Sequence, residues 1–115
     1  WHKSTAINAF LKSYRNKINT AKGIVLFKTQ TNTMADWIKT GIDYVRFQLA
    51  ADELGFVIHP VSQVLQEYAE MDDLRARFNE LVGVAEPAKI QVGVRIGRGE
   101  KLYYSYRREP ENLLS

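Results

Sequence analysis

The stretch TMADWIKTGIDYVRFQLAADELGFVIHPVSQ, residues 33–63, decides the fold. Thr33 followed three residues later by Asp36 is a capping pair, and the carboxylate also suits the positive end of a helix dipole. Met34, Trp37, Ile38, Gly41, Ile42, Val45, Leu49 and Leu54 then trace an apolar stripe at helical spacing. Gly55 supplies the left-handed residue that ends the helix. Gly41 in its middle costs about 1 kcal/mol relative to alanine. A glycine in that place is expected where another backbone or a ligand comes close. Phe56 to Ile58 reads as a short strand. Pro60 has no N–H to donate, so the strand lies at a sheet edge or ends there.

On the N-terminal side, Ala6, Ile7, Phe10, Leu11, Tyr14 and Ile18 form one face of an earlier helix, with Ser4 as its N-cap. Gly23 suits a turn. The continuous apolar run Ile24 to Phe27 predicts a strand buried on both faces.

On the C-terminal side, Val61 to Tyr68 predicts a helical turn or short helix. Asp72 or Asp73 starts another helix, whose buried face is Leu74, Phe78, Leu81 and Val82 and whose stop is Gly83. From Lys89 the alternation is clean. Ile90, Val92, Val94 and Ile96 share one face of a half-buried strand, while Gln91, Gly93 and Arg95 share the other, which lies against something small or close. Gly97 to Gly99 predicts a turn, Leu102 to Tyr106 an aromatic extension, and Arg107 to Ser115 a polar tail tipped by Leu113 and Leu114. Helices separated by strands without a regular βαβ alternation indicate an α+β fold.

The 115 residues form one domain, 1–115, with 45% hydrophobic and 25% charged residues, the balance of an ordinary globular chain. The net charge of +3 is spread along the sequence, unlike the dense basic face of a nucleic-acid-binding protein. There is no cysteine, which excludes disulfides and thiolate metal sites. No apolar run approaches the roughly 18 residues of a spanning helix, and no signal peptide is visible. A soluble cytoplasmic protein without nucleic-acid or membrane partners is expected. The chain opens on Trp1, which suggests a processed or truncated start.

Few residues suggest chemistry of their own. His2 and His59 are far apart in sequence, with no second ligand at a metal-binding spacing, so no metal site is expected. His59 and Pro60 do lie where a strand leaves the sheet, a common place for ligand contacts. Ser62 has no acid–base partner in a nucleophile setting. Glu67, Glu70, Asp72 and Asp73 cluster where a helix starts, which accounts for them as capping groups. Gly93, Gly97 and Gly99 beside Arg95 and Arg98 match no phosphate-loop order. The run Tyr103 to Arg108 is basic with interleaved tyrosines. It could stack bases, bind a phosphate through guanidinium forks or form a protein interface.

Several segments in order resemble the nitroreductase superfamily, most closely its Acg-type branch. They are Asp36 to Gly41, Arg46 to Gly55, Ile58 to Gln63, Leu74 with Arg75, and Gln91 to Arg98. The match runs over roughly residues 23–114 and is similar to the C-terminal half of such a domain. The N-terminal arginine motif of the superfamily has no counterpart. The resemblance implies an antiparallel sheet flanked by helices, an intertwined homodimer, and FMN bound between the subunits. It places Gly41 in the dimer core, His59, Pro60 and Ser62 near the isoalloxazine ring, and Arg107, with Arg108 as second choice, at the FMN phosphate. No catalytic side chain is implied, because electron transfer from NADH or NADPH to a nitroaromatic or quinone acceptor is flavin chemistry.

The expected function is therefore that of an FMN-dependent NAD(P)H oxidoreductase, with this chain as a C-terminal portion inactive alone. The alternatives are a module that binds or sequesters flavin without turnover, and a small basic domain that binds nucleic acid or protein through the tyrosine-rich tail. Under the first reading, replacing Gly41 with Leu overpacks a close contact at about 1–3 kcal/mol. Damaged folding or dimerisation, read by thermal denaturation and by mass in solution, is the expected result.

Overall fold

The alternating run that begins at Lys89 becomes the centre of a three-stranded antiparallel sheet. The computed structural model describes residues 3–100 and 106–109. Among them the order is α1 (Lys3–Asn19), β1 (Gly23–Thr29), α2 (Met34–Glu53), β2 (Phe56–Pro60), α3 (Asp72–Leu81) and β3 (Lys89–Arg98). Two single 3-10 turns, Gln63–Leu65 and Ala69–Met71, link β2 to α3. The spatial order of the strands is β1-β3-β2. The fold is α+β, as expected. Residues 1–2, 101–105 and 110–115 lie outside the described residues, and with them His2, most of the aromatic extension and the Leu113–Leu114 tip.

Register fixes which side chains share a face. Val25 pairs with Val94, Phe27 with Val92, and Pro60 with Val94 from the other side. Leu26 lies opposite Gly93, and both Ile24 and His59 lie opposite Arg95. Successive residues of a strand point to opposite faces, so the Val94 and Phe27 face is distinct from the Gly93 and Arg95 face. Helix α2 packs on the first. Phe27 meets Tyr44 and Phe47 edge-on, with centroids 5.8 and 5.5 Å away. Such pairs add modestly to what area burial supplies. Val94 is fully buried and Ile90 nearly so.

The capping pair forms as the sequence predicts. The Thr33 hydroxyl accepts from the Asp36 amide, and the Thr33 amide donates to the Asp36 carboxylate at 2.9 Å. The same carboxylate accepts from the hydroxyls of Thr31 and Thr33. Trp37 Nε1 donates to Asn32 Oδ1, which also accepts from Gln91 at the start of β3. The entry to α2 is thus pinned to two strands. Gly55 has φ +74° and Gly83 φ +67°, the left-handed stops predicted for both helices.

Several expectations need correction. The helix side packed on the sheet carries Thr40, Tyr44, Phe47 and Ala51, with Thr40 and Ala51 buried. The stripe of Met34, Ile38, Ile42, Val45 and Leu49 lies about 150° round the helix at 3.6 residues per turn. It is at least half exposed at every position. Helix α2 therefore has two apolar sides, which a single-stripe reading merges. Gly41 lies on the outer side, and a Cβ built there meets nothing within 4 Å. Among the described residues no close contact explains it, so the folding part of the Gly41→Leu expectation falls.

Ile24 is 49% exposed, because β1 is an outer strand and is not covered on both faces. Leu74 and Leu81 are exposed, whereas Phe78 and Val82 are half-buried, so α3 rests on fewer residues than predicted. Ser4 falls inside α1, which begins one residue earlier. Residues 97–98 continue β3 where a turn was predicted, because Gly97 and Arg98 still pair with Val57 and Phe56.

Two outcomes follow. Val94→Ala should lower the unfolding free energy by about 2 kcal/mol, read from chemical denaturation, whereas Leu81→Ala should change it by less than about 0.5 kcal/mol. Asp36 is held below its ordinary pKa of 3.8, first by the Thr31 hydroxyl, then by the Thr33 amide and hydroxyl, and by the charge of Lys39. A depressed folded pKa means stability that is complete above 3.8 and lost as pH falls through the lower folded value. Asp36→Asn should flatten that acid limb in pH-dependent unfolding.

Candidate functional site

On the sheet face opposite α2, β3 carries Arg95 between Gly93 and Gly97. Alternation brings all three to the same side. The neighbouring strand contributes His59, which sits directly opposite Arg95. Arg95 Nε donates to His59 Nδ1 at 3.4 Å, and a terminal nitrogen of the same guanidinium donates to the Lys17 carbonyl at 2.7 Å. The second bond satisfies one of the orphan carbonyls at the end of α1. Accepting through Nδ1 leaves the His59 ring to carry its hydrogen on Nε2.

A groove of about 600 Å³ opens here. Lys22, His59, Arg95, Gly97 and Gly99 line it, with Glu100 contributing the one carboxylate among the described residues. Arg98 has the opposite parity, so its side chain turns to the α2 side of the sheet, where the guanidinium lies over the ring of its cross-strand partner Phe56, 5.0 Å from the centroid. Among the described residues no ion pair engages Lys22, Arg95 or Arg98. On the same face, a separate apolar cavity of about 200 Å³ lies between Tyr14, Ile18, Leu26, Val61, Phe78 and Gly93. Gly93 leaves room for the Leu26 side chain and the Val61 carbonyl, 3.4 and 3.6 Å from where its Cβ would stand. This is the close neighbour expected on the second face of β3.

The residues singled out from the sequence are not all in one place. His59 and Pro60 are exposed members of β2, and Ser62 is a half-buried residue just beyond it. Between them the Val61 amide donates to the Gly93 carbonyl at 2.9 Å, which anchors the loop to the centre of the sheet. Gly41 lies on the outer side of α2. Arg107 and Arg108 are exposed and follow residues outside the described set. No hydrogen bond or ion pair joins these groups to one another among the described residues. The grouping of Lys22 with Arg95 was missed in the sequence, where Arg95 was assigned only to a strand. Its signal was the polar parity of Gln91, Gly93 and Arg95, but no sequence pattern tells which strand lies alongside.

Replacing Arg95 with Met should free the Lys17 carbonyl. Faster amide exchange in the last turn of α1, with β3 still protected, is the expected reading.

No known family profile matches the chain, and no curated protein does. Among solved structures, it is similar to a nitroreductase-like family protein from Bacillus cereus, with a TM-score of 0.65 and 17% identity. The alignment covers 100% of this chain and 59% of the other, so this chain spans less than two thirds of its neighbour's length. None of the described helices is long and apolar enough to cross a membrane. At this identity the likeness establishes architecture, and the architecture is nitroreductase-like.

Proposed function

We propose that the chain is part of an FMN-dependent oxidoreductase of the nitroreductase type, acting as a homodimer in which a second copy covers the outer side of α2. The observation that carries this reading is the two-sided helix within a nitroreductase-like fold. Met34, Ile38, Val45 and Leu49 are 69%, 62%, 54% and 67% exposed in one continuous row. A contiguous apolar surface of that kind ordinarily marks an interface. The radius of gyration, 17.5 Å, also exceeds the roughly 13 Å of a compact chain of this length. Gly41 in the middle of the row leaves bare backbone that a second helix or a planar ring can approach.

The donor set suits flavin mononucleotide. Arg107 and Arg108 are adjacent and exposed, and guanidinium forks match phosphate oxygens in pairs. The Ser62 hydroxyl makes no hydrogen bond among the described residues, and His59 has an uncommitted Nε2 edge. Either can serve the polar rim of the ring, while Pro60 offers an apolar surface. The chemistry that bound FMN supplies is two-electron transfer from NADH or NADPH to a nitroaromatic or quinone acceptor. The chain's own residues bind and orient. Arg107 and Arg108 would hold the phosphate, and the loop from His59 to Ser62, anchored through Val61 on Gly93, would present its polar groups to the ring.

Mixing the chain with FMN should give flavin absorbance that survives desalting and a clear rise in melting temperature, since about 100-fold saturation adds about 2.7 kcal/mol. Both should vanish in the Arg107→Ala, Arg108→Ala double variant. No FMN-dependent shift in the wild type overturns the flavin reading. NADPH consumption with a nitroaromatic separates an enzyme from a module that only holds flavin.

The dimer has its own test. Light scattering should give twice the chain mass, and Val45→Glu should weaken association at least roughly 100-fold, about 3 kcal/mol, with helical content retained. Gly41→Leu should act the same way without lowering the stability of the separated chain. A monomeric wild type removes the dimer.

A further inference from the structure

We propose that the apolar cavity between α1, β1, β3 and α3 binds a small, uncharged aromatic molecule that carries one N–H or O–H donor. The cavity lies on the sheet face turned away from α2 and holds none of the side chains assigned to flavin. It meets the flavin loop only at Val61, between Pro60 and Ser62.

Size and lining supply the first argument. The volume is about 200 Å³. An engineered cavity of about 150 Å³ lined by Leu, Ile and Phe takes up benzene, so this one accepts a slightly larger ring. It falls below the roughly 300 Å³ at which drug-sized sites begin, too little for a nucleotide or a flavin. Tyr14, Ile18, Leu26, Val64, Leu65 and Phe78 form the walls, and no charged side chain joins them among the described residues. An ion placed there would lose hydration without gaining a partner. The rings of Tyr14 and Phe78 favour a flat aromatic guest, met edge-on or offset.

The second argument is an open acceptor. Gly93 is buried and lines the cavity. Its missing side chain leaves the Val61 carbonyl oxygen 3.6 Å from where a Cβ would stand. The Val61 amide donates to the Gly93 carbonyl, but the Val61 carbonyl accepts no backbone hydrogen bond among the described residues. An acceptor among apolar walls gains from a ligand donor what water otherwise supplies. Indole and phenol combine such a donor with a ring of fitting size.

The state of α1 is the third argument. Tyr14 and Ile18 are half-buried, while residues 4–13 are exposed, so only the end of the helix approaches the sheet. The Arg95 bond to the Lys17 carbonyl ties that end down. A guest between the sheet and Tyr14 and Ile18 adds apolar contacts to this helix. Binding therefore stabilises α1 by mass action.

Methyl NMR of the full chain, titrated with indole, is the test. Saturable shifts at Leu26, Val61, Val64 and Leu65 are expected, with a Kd of about 1 mM or tighter. Amide exchange in the last two turns of α1 should slow as the site fills. 1-Methylindole, which has no N–H, should bind roughly fivefold more weakly. Indole-3-carboxylate keeps the ring but adds a charge, and should show no saturable binding.

Val64→Phe fills the cavity with an apolar ring and should weaken indole binding roughly tenfold or more. Ile18→Phe narrows it from the α1 side, where the sheet does not depend on the packing, and should act the same way. The Arg107→Ala, Arg108→Ala variant should bind indole as the wild type does. No saturable shift, equal affinity for 1-methylindole or the carboxylate, undiminished binding in both filling variants, or shifts centred on the outer side of α2 would overturn the proposal. Indole binding is read without FMN, so failure of the flavin reading would leave these results untouched.

Discussion

Both outer strands depend on β3. Each ladder hydrogen bond of the described sheet has one partner in residues 89–98, because β1 and β2 pair with β3 and not with each other. Val94 sits between Val25 and Pro60 at the middle of this arrangement and is the side chain most fully removed from water. The face it belongs to receives α2. The opposite face carries Arg95 and Gly93, and with them the groove and the apolar cavity. One ten-residue strand thus sets where the core is and where a ligand can bind.

Helix α2 shows why a rod with two apolar sides suits this architecture. Its inner side uses small residues, Thr40 and Ala51, to come close to the sheet, and aromatic residues, Tyr44 and Phe47, to interlock with Phe27. The Thr40 hydroxyl returns to the Asp36 carbonyl, so a buried polar group remains satisfied inside the helix. The outer side repeats aliphatic residues that none of the described elements covers. A helix with a second apolar side has a second surface to bury, while Lys39, Asp43 and Arg46 form the remaining polar side.

Much of this architecture was legible in the sequence. The Thr33–Asp36 cap, the Gly55 and Gly83 stops, the placement of Pro60 at the end of an outer strand and the alternation of β3 are local effects. Each needs only a few neighbouring residues to act. The α+β class followed from their order. What escaped was relational. Nothing in the run Ile24 to Phe27 tells that it forms an outer strand, and the row from Met34 to Leu49 outweighs the weaker row that meets the sheet. In α3, Leu81 matches the helical period yet lies beyond the reach of the core. The candidate site divided in the same way. His59, Pro60 and Ser62 could be singled out because a strand visibly ends there. Lys22 and Arg95 could not be grouped until the pairing of β1 with β3 was known.

The order of the strands also bears on how the chain is made. During synthesis β1 and β2 leave the ribosome first, and each waits for a partner that lies 60 residues beyond β1, as the Thr29–Lys89 pairing measures. Until that partner emerges the growing polypeptide holds helices and two solitary extended segments, with Phe27 and the α2 aromatics already able to cluster. Sheet formation then becomes a single late event that closes both sides at once. A nascent chain stalled before residue 89 would expose two unsatisfied strands, the condition in which chaperones bind and aggregation starts.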